Sequence, residues 1–510
     1  MKKFLSLACS SVLMGVFSSA NATDTSRPNI ILFLVDDMGW QDTSVPFWKE
    51  KTPLNQIYHT PNMERLAASG MKFTQAYACA VSSPTRTSLM TGMNAARHRV
   101  TNWTLNLDQT TDHKDDVLDF PKWNVNGLQS VGGISRTVEA TTLPAILRDH
   151  GYTTIHCGKA HWGANGTPGS DPLNLGFDIN IAGHAAGGPA TFQGLRNFGY
   201  NEDGTRASVW AIPGLDKYHG QDINLTEALT LEAIHALDTI SREKPFYLYM
   251  SHYAVHVPIE ADSRLVQKYL DKGMNPTEAK YASMVEGMDK SLGDLMLYLE
   301  QNELSDNTII IFMSDNGGLS AEGRGGDLHH HNAPLRSGKG STYEGGIREP
   351  MMVSWPGVVK AGSQCDDYLM IEDFFPSILT MAGIDQYKTV QNIDGKSFIP
   401  ALHGQRINKN RALYWHFPNN WGPKGPGIGA SSTIRQGDWK LIYYHKTQTF
   451  ELFNIKEDIG ETNNVAAQNS RLVKKMVARL SKYLTEVNAQ MPIVKATETT
   501  VPMPVQVLSN

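Results

Sequence analysis

Four short segments of the chain are apolar along their whole length, and each ends abruptly in charged or polar residues. They are residues 29–35, 152–157, 245–250 and 308–313. Strands without alternation of apolar and polar residues are typical of a parallel sheet that is covered on both faces. The chain is therefore predicted to fold around such a sheet. Ligands of these sheets gather beyond the carboxyl ends of the strands, where the polar residues of this chain stand.

Helical segments separate these strands, as expected where β and α elements alternate. They are residues 60–69, 143–150, 222–242 and 281–302. From about residue 411 the pattern changes to a hairpin at 432–444, a strand at 450–454 and an amphipathic helix at 470–488. We predict an α/β fold with a large mixed, mostly parallel sheet sandwiched by helices, and a smaller C-terminal antiparallel-sheet α+β subdomain. The predicted boundaries are 23–405 for the main domain, 406–495 for the subdomain and 496–510 for a flexible tail.

Residues 1–22 have the pattern of a cleaved signal peptide. Lys2 and Lys3 precede an apolar run at 4–17, and small residues at 20 and 22 resemble a cleavage site. A membrane anchor is the alternative, but the run is too short to span a bilayer comfortably. We therefore expect a periplasmic or secreted protein with no membrane span in its mature form.

The charge of the chain argues against nucleic acid as a partner. The formal net charge is −5, and loss of the signal, with two lysines and no acid, changes it from −5 to −7. No basic stripe suited to a polyanion is present. Three cysteines remain after residue 22, too few for a disulfide framework.

Two acidic clusters follow two of the apolar strands. Asp36 and Asp37 come after the first, and Asp315 and Asn316 come after the last. Their oxygen atoms suit Ca²⁺ or Mg²⁺ better than zinc. The alternative is that the paired acids cap helices or lie in a solvated loop. Two matching clusters at strand ends favour the metal site.

The segment 79–92 is the candidate for nucleophilic chemistry. Pro84 suits the first position of a helix with Ser83 as its cap, so Ser82 is expected just before the helix N-terminus, which favours anions. Arg86 would lie one turn further on. The alternative is a plain capped helix. The segment contains no G-x-S-x-G elbow, and no base that would activate a serine is evident.

The motifs of the chain together resemble those of the type I sulfatases. Any one of them is weak, but six in the family's order are specific, and the resemblance covers most of the mature chain. They are Ser82-Ser83-Pro84-Thr85-Arg86, Asp36-Asp37, Gly158-Lys159-Ala160-His161, His256-Val257-Pro258, Ser314-Asp315-Asn316-Gly317 and Gly338-Lys339-Gly340 leading into Tyr343-Glu344-Gly345-Gly346.

This resemblance implies that Ser82 does not act as a serine. In the family, the first residue of the motif is oxidised to formylglycine (3-oxoalanine), whose hydrate attacks sulfur with one hydroxyl and later expels sulfate with the other. The Ser form of the motif implies maturation by a radical iron–sulfur enzyme before export. It also implies one Ca²⁺ ion, which lowers the pKa of the attacking hydroxyl. The expected ligands of this ion are Asp36, Asp37, Ser82, Asp315 and Asn316.

The resemblance also assigns roles to the basic residues. Arg86 would orient the formylglycine, Lys159 would hold a sulfate oxygen, and His161 would assist collapse of the hydrate. His256 and Lys339 would face the leaving oxygen, and His256 is preferred as general acid because its ordinary pKa lies near neutrality.

A sulfated carbohydrate is the substrate that the resemblance implies. His98, His184 and His331 are candidate substrate contacts, as are Trp103 and Trp162, although packing is the more common role of such residues. Two alternatives stay open. One is a phosphoester or phosphonate ester hydrolase of the same superfamily, and the other is a non-catalytic sulfated-glycan-binding protein in which Ser82 is not matured.

Overall fold

The computed structural model describes residues 27–319, 331–407 and 410–508. The predicted signal peptide at 1–22 lies outside the described residues. The strands are β1 (Asn29–Val35), β2 (Met71–Tyr77), β3 (Leu118–Asp119), β4 (Leu128–Gln129), β5 (Val138–Glu139), β6 (Thr153–Gly158), β7 (Ile179–Ile181), β8 (Phe246–Ser251), β9 (Thr308–Ser314), β10 (Arg348–Ser354), β11 (Ser363–Cys365), β12 (Leu369–Met370), β13 (Ala412–Phe417), β14 (Ser431–Gln436), β15 (Trp439–Tyr444), β16 (Thr449–Asn454), β17 (Ile493–Val494) and β18 (Thr499–Thr500).

The α-helices lie between and after these strands. They are α1 (Leu54–Ile57), α2 (Pro61–Ser69), α3 (Ser82–Thr91), α4 (Ala95–His98), α5 (Leu143–Asp149), α6 (Leu225–Thr239), α7 (Gln267–Asp271), α8 (Pro276–Gln301), α9 (Glu344–Ile347), α10 (Phe374–Met381), α11 (Ile399–Leu402), α12 (Ser470–Glu486) and α13 (Pro504–Val507). In the described ranges, no helix is both long and apolar enough to cross a membrane.

The main sheet contains nine strands within the described residues. Their order is β11-β2-β10-β9-β1-β8-β6-β7, and β12 pairs with β2. Only β10 runs antiparallel to its neighbours β2 and β9 among these pairs. The four predicted strands became β1, β6, β8 and β9, and they stand side by side as β9-β1-β8-β6. Their carboxyl ends therefore meet at one edge of the sheet.

Both faces of this sheet are buried, as the uninterrupted apolar strands predicted. Along β1, residues 31, 33 and 35 pack with α2, α6 and α8 on one face. Residues 30, 32 and 34 pack with α3, α5 and α10 on the other face. The α/β class is thus confirmed, because only a sheet that is covered twice can accept apolar side chains at every position of a strand.

The structure corrects two helix boundaries. Helix α8 begins at Pro276 rather than at residue 281, because the Asn275 side chain accepts a hydrogen bond from the Thr277 N–H and so caps the helix. Helix α6 begins at Leu225 rather than at 222, because Asn224 caps it in the same way. Hydrophobic periodicity alone does not locate such caps.

The C-terminal region forms the predicted smaller antiparallel sheet. Strands β13-β14-β15-β16 pair in that order, and β14 and β15 join through Gly437, which has a φ of 60°. Helix α12 buries its apolar side chains against this sheet. The described part of the predicted flexible tail, residues 496–508, contains β18 and α13, and Val501 within it is only 2% exposed.

A buried ionic cluster joins the small sheet to the main domain. Lys440 on β15 lies 3.0 Å from Glu344 of α9 and 2.9 Å from Glu461, and all three side chains are inaccessible to solvent. Burial opposes ionisation of Glu344, but Lys440 and nearby arginines outweigh it and lower its pKa to about 2. This cluster requires both regions to be folded and docked.

Replacement of Lys440 by methionine is expected to destabilise the protein by about 3–5 kcal/mol, because it removes the paired cation of buried Glu461 and one of the cations beside buried Glu344, which Arg348 still contacts at 3.3 Å. Chemical denaturation followed by circular dichroism measures the loss. Lys446→Met is the control, since this lysine pairs with Asp115 and Asp116 at the surface, and little change is expected there. Equal losses in the two variants would show that the cluster does not hold the regions together.

Candidate active site

The predicted functional residues meet where the four central strands end. Asp36 and Asp37 follow β1, and Asp315 and Asn316 follow β9. Two further loops contribute basic residues: β6 leads to Lys159 and His161, and β8 leads to His256. Helix α3 brings Ser82 and Arg86, and the loop before α9 brings Lys339, whose backbone N–H donates to the Gly318 carbonyl at 3.3 Å. The topology thus assembles residues from both halves of the chain.

Ser82 is the first residue of α3 rather than the residue before the helix. Its N-cap is Val81, which has extended backbone angles. The expectation that Ser83 caps the helix is wrong, because the Ser83 Oγ accepts a hydrogen bond from the backbone N–H of Thr104 at 3.1 Å. Ser82 nevertheless lies at the N-terminal end of the helix and contacts one residue of each acidic cluster, Asp36 and Asn316.

The Ser82 side chain lies at the centre of the polar groups. Its Oγ is 3.3 Å from Asp36 Oδ1 and 3.2 Å from Asn316 Oδ1, and it accepts a hydrogen bond of 3.0 Å from Lys159 Nζ. No histidine is among the hydrogen-bond partners that the described residues offer to this hydroxyl. The arrangement therefore differs from a serine–histidine pair.

Three cations pair with the three aspartates. Lys159 Nζ lies 2.7 Å from Asp36, Lys339 Nζ lies 2.6 Å from Asp37, and the Arg86 guanidinium lies 2.8 Å from Asp315.

These six side chains are almost or fully inaccessible to solvent, so the pairs neutralise charges that burial alone would make very unfavourable. Burial raises the pKa of Asp36 well above its ordinary value despite Lys159. Burial also acts to raise the pKa of Asp315, but the positive charge of Arg86 outweighs this effect, so the pKa of Asp315 is lowered.

The same oxygen atoms fit a hard divalent cation. A carboxylate oxygen of Asp36, one of Asp37 and a ring nitrogen of His256 lie within 4.8 Å of one another. Asn316 joins them, because its Nδ2 donates to Asp37 Oδ1 at 2.7 Å while its Oδ1 faces Ser82. Asp315 Oδ1 accepts from the Asp37 backbone N–H at 3.2 Å. A donor set dominated by carboxylate and amide oxygens is the set that Ca²⁺ and Mg²⁺ prefer.

His161 is held as a neutral base. Its Nε2 lies 3.0 Å from the Thr104 carbonyl oxygen, so Nε2 carries the proton and Nδ1 has the lone pair. Burial, together with Lys159 and Arg86, lowers the pKa of His161 well below its ordinary value. Within the described residues, Nδ1 has no hydrogen-bond partner.

The structure removes the reason for preferring His256 as the acid. Its Nδ1 donates to the Val257 carbonyl at 2.7 Å, so Nε2, 3.8 Å from Asp37 Oδ2, carries the lone pair. Burial and Lys339 lower the pKa of His256 to about 3. The ordinary pKa near neutrality, for which His256 was preferred as general acid, therefore does not apply in this site. For Lys339, burial acts against the charge, but Asp37 and Asp36 prevail and raise its pKa.

Two glycines let the histidines reach the site. A Cβ atom on Gly187 would lie 2.2 Å from Cε1 of His161, and one on Gly188 would lie 2.9 Å from Cε1 of His256. The Ala185–Gly188 stretch carries no polar side chain, and sequence reasoning did not single it out. Close packing of a glycine on a functional ring is visible only in three dimensions.

A cleft of about 260 Å³ opens above Ser82. Polar groups of Asp37, Ser82, His161, His256 and Lys339 lie at its base, and aromatic and apolar side chains form its walls. These walls include three half-buried tryptophans, Trp103, Trp210 and Trp421. Only Trp103 was predicted, because nothing in the sequence near 210 or 421 resembles a site motif.

The other predicted substrate contacts do not line this cleft. His98 is fully buried, and its two ring nitrogens bond to Ser88 Oγ and to the Val100 N–H. His184 is half-buried and bonds to the Tyr253 hydroxyl at 3.1 Å. His331 lies 3.6 Å from Glu278 of α8.

The prediction that Trp162 contacts the substrate is also wrong. Its indole is fully buried, and its N–H donates to the Arg86 carbonyl at 3.2 Å. This contact helps to hold α3 in place, so the residue supports the site from behind.

Comparison with known proteins identifies the family of the chain. The family model described as Sulfatase matches residues 28–384. The chain belongs to the sulfatase family. It is therefore a sulfuric ester hydrolase. A second model, described as N-sulphoglucosamine sulphohydrolase, C-terminal, matches residues 338–490 of this sulfatase.

Similar proteins agree with this assignment along most of the chain. A protein named sulfatase from Formosa agariphila is 30% identical, with 96% of this chain and 95% of the relative covered. An N-acetylgalactosamine-6-sulfatase from Canis lupus familiaris is 30% identical, with 86% and 76% covered. The solved structure of Ps i-CgsB in complex with k-i-k-neocarrahexaose has a TM-score of 0.70 at 29% identity and covers 90% of this chain and 93% of that one.

Gly187→Ala is expected to lower turnover at least tenfold with little loss of stability, because the added methyl group must displace the His161 ring. Steady-state kinetics and thermal unfolding of the variant measure the two effects. Gly460→Ala is the matched control, since the nearest atom to its added Cβ would be 3.4 Å away. Normal turnover in Gly187→Ala would show that the position of His161 is not needed for catalysis.

Proposed function

We propose that the protein removes sulfate from sulfated carbohydrates, with Ser82 converted to formylglycine as the nucleophile. The arrangement of Ser82 among two acidic clusters and three cations carries this proposal. The carbohydrate part is supported by the relatives, one of which was solved with a neocarrahexaose bound. The half-buried tryptophans above Ser82 offer apolar surface suited to a sugar ring.

Conversion of Ser82 explains why no histidine of the described residues pairs with this hydroxyl. When formed, the hydrated aldehyde supplies two hydroxyl groups on one carbon, one to attack sulfur and one to expel sulfate. His161, with its lone pair on Nδ1, is suited to accept a proton as sulfate leaves. Arg86 is fixed by Asp315 and by Ser251 Oγ, so it can orient the modified side chain without moving.

The oxygen cluster is proposed to hold one Ca²⁺ ion. Asp36, Asp37, Asp315, Asn316 and the modified side chain at position 82 would be its ligands. The ion, when bound, lowers the pKa of a hydroxyl attached to it. Lys159 and Lys339 lie against two of these carboxylates beside Ser82, so their ammonium groups are positioned to contact the oxygens of an anionic ester.

His256 is proposed as the proton donor to the leaving sugar oxygen. Because burial and Lys339 lower the pKa of its ring, His256 must take up a proton before it can act as an acid, and the negative charge of the ester favours this uptake. Lys339 has a raised pKa and holds its proton too firmly to be an effective acid near neutral pH. Its charge is better suited to binding the ester.

Export and maturation complete the proposal. The N-terminal pattern at 1–22 supports a periplasmic or secreted location. The Ser form of the motif supports maturation by a radical iron–sulfur enzyme, which acts before export. Protein made without that enzyme is expected to fold but to turn over poorly.

Maturation is tested on the peptide that contains Ser82. Co-expression with a radical maturation enzyme should lower its mass by about 2 Da, the two hydrogens lost on aldehyde formation.

The matured protein should then hydrolyse sulfated sugars, lose activity on chelation and regain it with Ca²⁺. Ser82→Ala should show no turnover. An unchanged mass together with full activity would contradict the proposal that Ser82 is converted to formylglycine. A preference for phosphate monoesters or diesters over sulfate esters would favour the phosphoester alternative.

The proton donor is tested by leaving-group dependence. His256→Ala should lower kcat/KM about 10²- to 10⁴-fold on a sulfated sugar but much less on nitrophenyl sulfate, whose leaving group needs no proton. Lys339→Ala should lower both to a similar extent, because it removes binding charge. The reversed pattern would make Lys339 the donor.

A further inference from the structure

Two tryptophans form an angled wall on one side of the cleft. The ring centroids of Trp103 and Trp210 are 6.2 Å apart, and their planes meet at 41°. Both are half-buried, whereas Trp40 and Trp162 are fully buried in the core. Large apolar surface left open beside a group of charges indicates a binding role rather than packing.

The third tryptophan lies beside Lys339. Lys339 Nζ is 5.7 Å from the centroid of the Trp421 ring. Trp421 also packs closely against Gly340, where a Cβ atom would be 2.3 Å from its Cε3. The ring thus lies next to Lys339, which we have proposed as a binding residue for the ester.

Hydrogen bonds to the backbone of both tryptophans hold the wall in place. The Trp103 carbonyl accepts from Thr111 Oγ1 at 2.6 Å, and its N–H bonds to Asn102 Oδ1 at 2.9 Å. The Trp210 carbonyl accepts from the Ala190 N–H at 2.8 Å. Side chains on anchored loops lose little freedom when a ligand binds, which favours affinity.

We propose that Trp103 and Trp210 bind the ring of the sugar that carries the scissile sulfate, with Trp421 covering its other side. This inference rests on the proposed carbohydrate substrate. A pyranose offers C–H groups on its faces and hydroxyl groups at its rim, so its face packs on an indole while its rim stays hydrated. The sulfate then lies at Ser82, among the cations. The tryptophans thus act on the sugar and not on the sulfate.

Because the tryptophans are assigned to the sugar and the cations to the sulfate, the two roles can be tested separately by binding. The test does not require conversion of Ser82. In a Ser82→Ala background, which does not turn over, calorimetry measures binding of galactose 4-sulfate, galactose 6-sulfate, N-acetylgalactosamine 6-sulfate and inorganic sulfate. Adding Trp103→Ala or Trp210→Ala should weaken binding of the sulfated sugar about tenfold and leave inorganic sulfate within twofold. Trp103→Phe should restore part of the affinity, since it keeps an aromatic face.

Trp48→Ala is the matched control, because Trp48 is also half-buried but lines another cleft, and no change is expected. Unaltered sugar affinity in both tryptophan variants would overturn the proposal. Equal weakening of sugar and inorganic sulfate would overturn it too, because it would mean that the anion site itself had been disturbed. If the parent binds inorganic sulfate but none of the sugars, the carbohydrate substrate fails and the sugar site fails with it.

Discussion

The site depends on a balance of buried charges at the edge of the main sheet. Asp36, Asp37 and Asp315 lie where water does not reach, and each is paired with a lysine or an arginine. An unpaired carboxylate there would cost several kcal/mol, so the pairs are needed for the loops to close over the strand ends. The pairs also keep the cations at the place where we propose that the anionic ester binds. Stability and anion capture therefore rely on the same contacts.

The balance also explains how an acidic protein can act on an acidic substrate. The chain has an excess of acids overall, so there is no general attraction for polyanions. The cations are concentrated around Ser82, and a bound divalent cation would give this region a positive excess. Selectivity for the anion is then local, and the surface can stay negative.

The walls of the cleft follow a different physical rule from its base. The base is built from charges at strand ends, on the first turn of α3 and on the loops that follow the strands, and buried ion pairs hold these charges in place. The walls are built from tryptophans on three separate loops. Loops vary without disturbing the sheet, so the part that we propose contacts the sugar can change while the part proposed to bind the sulfate stays.

Much of the fold followed from local patterns. Apolar strands without alternation predicted a sheet buried on both faces, and the order of the motifs predicted which strand ends carry the site. Helix starts at Leu225 and Pro276 were missed, since they depend on single capping side chains. His98 and Trp162 were misjudged for a similar reason: their proximity to motifs in the sequence says nothing about whether they point outward or into the core.

The sequence by itself determined the class of fold, the residues at the strand ends and the type of ester that they suit. The reason is that uninterrupted apolar segments and the order of the motifs are local properties of the sequence. Tertiary structure decided the protonation of His161 and His256, the close packing of Gly187 and the meeting of Trp103 with Trp210. These properties depend on burial and on distances between residues far apart in the chain, and no local pattern encodes either.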